Sequence, residues 1–356
     1  MNENKFLINY EEFMDNVLIT GANGFIGSHI TEYFYNKGHK VSCFARKESD
    51  SSYIKKFSVK MEYGDIKDIK SLTEVFKNYS YVIHNAGYVN DWGNYKIFYE
   101  TNVIGTKNVL EACKLNNIKN IIMTGTVSVY GEENCLEKKN EDFPFNPNYK
   151  YFLDKLFPSA MNYYRDTKTK AVIYATNFAE NNNINLTILE PVWVFGEREF
   201  NTGFYEYLKT AKSNFPVLPG SKKNRFHVIY VKDLARAFYL AYKKRLNGVN
   251  RFIIGNNKAE YLDKIYTEFC SAAGYKKSNI LPKCFFYPAG FILELIYIIL
   301  NIKKAPLLTR ARVNMLYDNL EYSVKKAEKI LKFKNRYKLT DAVKMTVDWY
   351  RKNGYL

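Results

Sequence analysis

Short apolar runs alternate with amphipathic stretches through the first half of the chain. Val17–Thr20, His39–Ala45, Val59–Tyr63, Tyr81–His84, Ile118–Thr124 and Leu186–Leu189 are too short for helices and are set off by polar or glycine-containing segments. They predict strands buried on both faces. After the first of them Ile26, Ile30, Tyr33 and Phe34 fall on one helical stripe, which predicts a helix running to about Lys37. Strands alternating with helices build right-handed βαβ units, so the expected class is α/β, a doubly wound parallel sheet covered on both faces. Beyond Phe195 the pattern loosens. Phe204–Lys212 and Asp233–Lys244 predict helices, Arg225–Val231 a strand, and Asn250–Ile254 a return to the sheet. From Glu260 the chain reads as mostly helical, ending in Asp341–Tyr350.

The run from Phe285 to Ile302 is almost wholly apolar but contains Pro288, Gly290 and Glu294. It barely reaches the length of a membrane span and carries a carboxylate near its centre, so a buried or cleft-lining helix is the favoured expectation. Lys303 and Lys304 at its end allow shallow attachment of 285–304 to an anionic bilayer surface as the alternative. With 356 residues and 47% hydrophobic positions, the chain can bury a large core. A net charge of +17 suits an anionic partner such as a dinucleotide, but the basic residues are spread along the chain, and nucleic acid is not the expected partner. Five scattered cysteines with no paired spacing argue against a disulfide framework and against a metal site, and for a reducing cytoplasm.

The first strand runs into Gly21, Gly24 and Gly27, with Ala22, Asn23, Phe25 and Ile26 between them. Gly21 permits a tight turn, Gly24 lets the backbone approach a pyrophosphate, and Gly27 lets the following helix pack on the strand. The helix N-terminus at Phe25 and Ile26 offers free N–H groups and a positive dipole end to the phosphates. About twenty residues on, where an NAD site places an acid for the ribose hydroxyl, the second strand ends in Ala45, Arg46 and Lys47. Arg46 can pair with a 2′-phosphate, so NADP(H) is favoured over NAD(H). Asp65 and Ile66 follow the third strand; Asp65 is a candidate acceptor for the adenine amino group or a helix N-cap. Asn85, Ala86 and Gly87 end the fourth strand, where small residues let the backbone run beside the adenosine.

Thr124, Thr126 and Ser128 give the fifth strand a hydroxyl-rich end, and Tyr164 and Lys168 lie four apart on one face of a later helix. A phenol with a pKa near 10 is a poor acid–base group at neutral pH, and a neighbouring ammonium lowers that value. Tyr164 is thus the candidate general acid/base, Lys168 its tuner and a ligand for the nicotinamide ribose, and Thr126 the group that orients a substrate oxygen. Pro191, Val192 and Val194 end the sixth strand beside the expected nicotinamide carboxamide.

TGANGFIG at 20–27, Gly64-Asp65, HNAG at 84–87, Tyr164/Lys168 and Pro191–Gly196 occur in the order found in extended short-chain dehydrogenases/reductases, and the chain resembles that family over essentially its whole length. The resemblance implies a Rossmann-type domain over 17–195, with 226–256 returning to it. It also implies a smaller substrate-binding domain from 196–225 and 257–356, behind an N-terminal extension over 1–16. DWG at 91–93 and the pattern from Pro306 to Leu331 resemble 3β-hydroxysteroid dehydrogenase and dihydroflavonol-reductase-like members. The implied reaction is hydride transfer between a nicotinamide and a ketone/secondary alcohol on a hydrophobic small molecule, with Tyr88 and Trp92 near the substrate. The alternatives are an NAD-dependent nucleotide-sugar epimerase/dehydratase and a non-catalytic dinucleotide sensor. A homodimer is implied by resemblance alone. The long segment Asn146–Met161 departs from the family pattern and is a candidate pocket wall.

Overall fold

The computed structural model describes residues 15–131, 135, 137–200, 203–213 and 217–356. The extension expected over 1–16 thus lies outside the described residues up to position 14. Seven parallel strands form the central sheet: β1 Val17–Thr20, β2 Val41–Ala45, β3 Lys60–Tyr63, β4 Tyr81–His84, β5 Asn120–Thr124, β6 Asn185–Pro191 and the strand Val249–Ile254. Their order is Val249–Ile254, β6, β5, β4, β1, β2, β3. Period-two alternation sorts the buried side chains onto the two faces. Val17, Ile19, Ile83 and Ile122 belong to one core, while Leu18, Val82, Ile121 and Met123 belong to the other. The strand order reverses between β1 and β4, which opens a crevice outside their carboxyl ends.

The predicted strands lie within two residues of those observed, and the helices Phe204–Lys212 and Val231–Lys244 are also found. Three expectations need correction. Arg225–Val231 is two short strands: Arg225–Phe226 pairs antiparallel with Glu260–Tyr261, whereas Val228–Tyr230 pairs parallel with Trp193–Phe195. The break falls at His227, whose buried ring is held between the Tyr322 N–H at 3.2 Å and the Asn256 carbonyl at 2.6 Å. Asp65 does not cap a helix; its carboxylate accepts from the Lys67 N–H at 2.9 Å, and Asp68 caps the helix Ile69–Phe76. The apolar run beyond 283 forms the helix Lys283–Ile299, but only Gly290 and Glu294 in it are buried. Its apolar side chains turn outward because Glu294 is drawn inward by Arg310, which donates from Nε at 2.8 Å and Nη2 at 3.0 Å.

Candidate active site

The turn after β1 is dictated by space. Gly21 has φ +64°, and a methyl there would sit 2.8 Å from Ala86 Cα. A methyl on Gly27 would meet the Gly21 carbonyl oxygen at 2.1 Å. Helix α1, Phe25–Asn36, therefore starts hard against the strand end, with Gly24 as its N-cap and no side-chain cap. The N–H groups of Phe25, Ile26 and Gly27 find no protein acceptor among the described residues. Uncapped N–H groups at the positive end of a helix, at the point where the sheet order reverses, fit a pyrophosphate.

The loop after β4 is fixed by a chain of hydrogen bonds whose protons can be assigned. Thr106 Oγ1 donates to the Asn102 carbonyl at 2.7 Å, so it accepts from His84 Nε2–H at 3.1 Å. Nδ1 of His84 then accepts from Thr20 Oγ1 at 2.9 Å, and Thr20 Oγ1 accepts from the Ala86 N–H at 3.2 Å. Burial, followed by the charge of Lys168, pushes His84 down to about 3, so the ring is neutral. Asn102 sits in a π-helical turn, Tyr99–Ile104, which re-aims its amide. That amide accepts from the Tyr88 N–H at 2.7 Å and donates to Thr167 Oγ1 at 3.2 Å, joining the β4 loop to the helix Ala160–Asn181.

That helix carries Tyr164 and Lys168, both 8% exposed. Lys168 Nζ donates to the Thr124 carbonyl at the end of β5 at 2.8 Å. Thr124 Oγ1 donates to Asn85 Oδ1 at 2.9 Å, so the ends of β1, β4 and β5 are tied together around the lysine. Burial pulls Lys168 down to about 8, against the opposing charge of Glu190, which leaves it a cation at pH 7. Tyr164 packs with Phe98, Tyr151, Met161, Ala311 and Met315, and Tyr88 lines the same cluster. The segment Asn146–Met161 therefore supplies a wall beside Tyr164 through Tyr151. Thr126 caps the short turn Val127–Tyr130: its Oγ1 accepts from the Ser128 N–H at 3.2 Å and lies 3.1 Å from Ser128 Oγ.

Other expected residues are placed differently. Trp92 is turned away from this cluster, its indole N–H donating to the Ile302 carbonyl at 2.9 Å and its ring packing on Tyr297. The Ile66 side chain is core, pressed against Gly105, so only its backbone can face a ligand. Val192 N–H is spent on the Ile254 carbonyl at 3.0 Å and Trp193 N–H on the His227 carbonyl at 3.2 Å. The Pro191–Val194 segment can therefore offer carbonyls rather than those two N–H groups. Arg46 and Lys47 are exposed beyond β2 and make no ion pair among the described residues.

His84, Asn102 and Thr106 carry no signal of their roles in the sequence, and a buried cluster behind Gly125 carries only one. There Glu190 accepts from Tyr130 Oη at 2.6 Å and from Arg251 Nε at 3.0 Å. Burial raises the Glu190 carboxyl, and the Arg251 guanidinium opposes that rise. A fully buried acid in the strand-end sequence Leu189-Glu190-Pro191 was the available signal, since unpaired buried carboxylates are not tolerated.

Residues 17–255 match the NAD dependent epimerase/dehydratase family. The chain belongs to that family. It is an enzyme of the extended short-chain dehydrogenase/reductase type, an NAD-dependent oxidoreductase group. The family member is 25% identical over 359 residues to the decarboxylating sterol-4-alpha-carboxylate 3-dehydrogenase of Candida albicans, covering 95% of this chain and 98% of the relative. It is 24% identical over 323 residues to the 2-alkyl-3-oxoalkanoate reductase of Stenotrophomonas maltophilia, covering 88% and 92%. The Thermus thermophilus UDP-glucose 4-epimerase, solved in complex with NAD, superposes with a TM-score of 0.72 at 21% identity, over 94% of this chain and 99% of that one. At that identity the likeness shows the fold, and it agrees with a nicotinamide dinucleotide as the family's cofactor.

Proposed function

We propose that this family member is a cytoplasmic oxidoreductase that interconverts a ketone and a secondary alcohol on an apolar small molecule, using NADP(H) in preference to NAD(H). The observation that carries the reading is the buried Lys168 ammonium, anchored on the Thr124 carbonyl one helical turn from Tyr164 in an aromatic and aliphatic cluster. The uncapped turn of α1 would hold the dinucleotide, whose nicotinamide would supply or accept the hydride. Tyr164 gives its proton to the carbonyl oxygen in reduction and takes it back in oxidation. Lys168 favours the phenolate through its charge. Thr126 orients the substrate oxygen, and the apolar cluster keeps water from the reacting carbon. The dinucleotide-binding part would comprise 17–195 and 226–256, with 196–225 and 257–356 capping the substrate.

Both relatives' names describe an oxygen function β to a carboxylate on an apolar skeleton, a 3-oxoalkanoate and a sterol-4-carboxylate oxidised at position 3. An apolar β-oxo or β-hydroxy acid is the substrate class to try first. Absorbance of NADPH followed with such acids tests the reading, and Tyr164→Phe is expected to lower turnover by about 10²–10⁴-fold. Near-full turnover in that variant would overturn the mechanism, and copurified NAD with no net redox change would favour epimerisation. Arg46→Ala is expected to raise the KM for NADPH about 10–100-fold with little effect on NADH, the value of losing hydrogen bonds to a charged phosphate. Equal loss with both cofactors would reject the 2′-phosphate role.

A further inference from the structure

The helix Lys283–Ile299 presents its apolar face to solvent and its acidic residue to the protein. Phe285, Pro288, Ile292, Ile296 and Ile299 recur at three- and four-residue spacing and so share one face. The four large side chains among them are 43–69% exposed. Phe152 and Leu156 extend the patch from the neighbouring loop, where Phe152 packs on Phe291 with ring centroids 5.3 Å apart. This is a continuous stripe rather than scattered surface apolar residues, and it is not a loosely attached one. A methyl on Gly290 would lie 3.2 Å from the Thr309 backbone, and the fully buried Arg310 clamps Glu294 while donating to the carbonyls of Phe152 and Phe157. The scaffold holds the stripe outward.

The rim of the patch is cationic. Lys150, Lys155, Lys303 and Lys304 are exposed and carry no ion pair among the described residues. The acids on this side are already committed: Glu294 to Arg310, Asp91 to Arg312, Asp318 to Lys283, and Asp154 to the Ser159 N–H and the Asn162 amide. An apolar stripe rimmed by unpaired lysines matches an anionic phospholipid surface. A second copy meeting the same face about a two-fold axis would bring like charges together. Among the described residues no helix is long and apolar enough to cross a membrane, so the helix would lie on a bilayer rather than span it.

We propose that this face seats the protein on an anionic phospholipid bilayer, with the Lys283–Ile299 helix in the interfacial plane. The helix Arg310–Tyr317 packs against that helix and contributes Ala311 and Met315 to the Tyr164 cluster, so the bilayer-facing helix and the reacting group pack on the same short helix. Such a seat would let an apolar substrate pass from lipid to the site without crossing water. That consequence rests on the function proposed above; the seat itself does not.

The test is sedimentation of the full chain with vesicles of phosphatidylcholine alone or mixed with phosphatidylglycerol. Binding to the mixed vesicles is expected, weakening as salt rises. Lys303→Glu/Lys304→Glu is expected to weaken it by about 25-fold or more, from about fivefold per lost lysine. Ile292→Ser/Ile296→Ser/Ile299→Ser is expected to abolish it while leaving the thermal midpoint and turnover of a water-soluble ketone intact. Ile173→Ser, on an exposed apolar residue of another helix, is expected to change nothing. Absence of vesicle binding, or binding indifferent to the triple variant, would overturn the proposal. So would a dimer by light scattering that the triple variant dissociates. Failure of the redox reading appears separately, as absence of NADPH oxidation with vesicle binding retained.

Discussion

Lys168 is an ammonium held out of water by the ends of three strands, and its charge should be visible in stability as well as in turnover. Its pKa falls from 10.5 to about 8, chiefly through burial. The unfolded chain therefore binds more protons than the folded one between pH 8 and 10.5, and folding stability attributable to this residue rises across that window. Below pH 8 the full penalty is present; above 10.5 it is gone. The difference is worth about 3 kcal/mol, at about 1.4 kcal/mol per pH unit. Lys168→Met keeps the length of the stem and removes the ammonium. Urea unfolding of the ligand-free protein and this variant, at intervals from pH 7 to 10, isolates the residue from other titrations common to both. The stability of the native protein relative to the variant should climb by about 2–3 kcal/mol over that range, nearly all of it above pH 8. A pH-independent difference would show that the lysine is not desolvated. Turnover should move the other way: the native enzyme should lose phenolate support above pH 8, while the variant is slow throughout.

Substitutions at other positions test separate parts of the frame. His84 is held neutral with a pKa near 3 against 6.5 in the open chain, so its contribution is fully present above pH 6.5 and is lost as pH falls toward 3. His84→Gln should flatten the fall of the thermal midpoint between pH 7 and 5, a range over which this one histidine accounts for about 2 kcal/mol; an unchanged slope would reject the buried neutral ring. Gly27→Ala forces a methyl onto the Gly21 carbonyl and should destabilise by more than about 4 kcal/mol or prevent folding. Gly24→Ala meets one atom at 3.3 Å and should fold with weakened dinucleotide binding, measured by fluorescence of the bound reduced cofactor. Glu294→Gln strands the fully buried Arg310 charge and should cost about 3–5 kcal/mol by chemical denaturation, whereas Glu294→Leu/Arg310→Met should cost less than the two single changes together.

The glycine turn, the strand positions and the Tyr164/Lys168 pair were legible because each is written in adjacent or near-adjacent residues. Gly21, Gly24 and Gly27 announce a backbone constraint that operates within a few ångströms, and four-residue spacing on a helix is geometry. The polar chain from Thr20 through His84 to Asn102 was not legible. Its members come from β1, β4 and a π-helical turn, and no periodicity connects a threonine with a histidine 64 positions away. The helix at 283–299 failed for a different reason. A run apolar on every face has no pattern to choose its inner side, and hydrophobic content alone favours burial. The choice was made by Glu294, because the side chain that answers it, Arg310, lies on another helix.

The buried charges around the strand ends are arranged so that Lys168 can keep its proton while its neighbours stay uncharged or compensated. Burial and the Lys168 charge hold His84 neutral, and its ring nitrogens are committed to hydroxyls in an order that starts at a backbone N–H and ends at a backbone carbonyl. A second proton on that ring would leave a donor facing the Thr20 hydroxyl hydrogen and would place a like charge near Lys168. Glu190 pulls the other way: its carboxylate, neutralised in large part by Arg251 and Tyr130, still favours the ammonium. Replacing Glu190 by Gln would therefore lower the Lys168 pKa further and shift the alkaline limb of turnover to lower pH, without altering any group that touches the substrate. That separation of effects distinguishes an electrostatic support for the lysine from a merely structural carboxylate, since loss of packing alone would lower turnover at every pH alike.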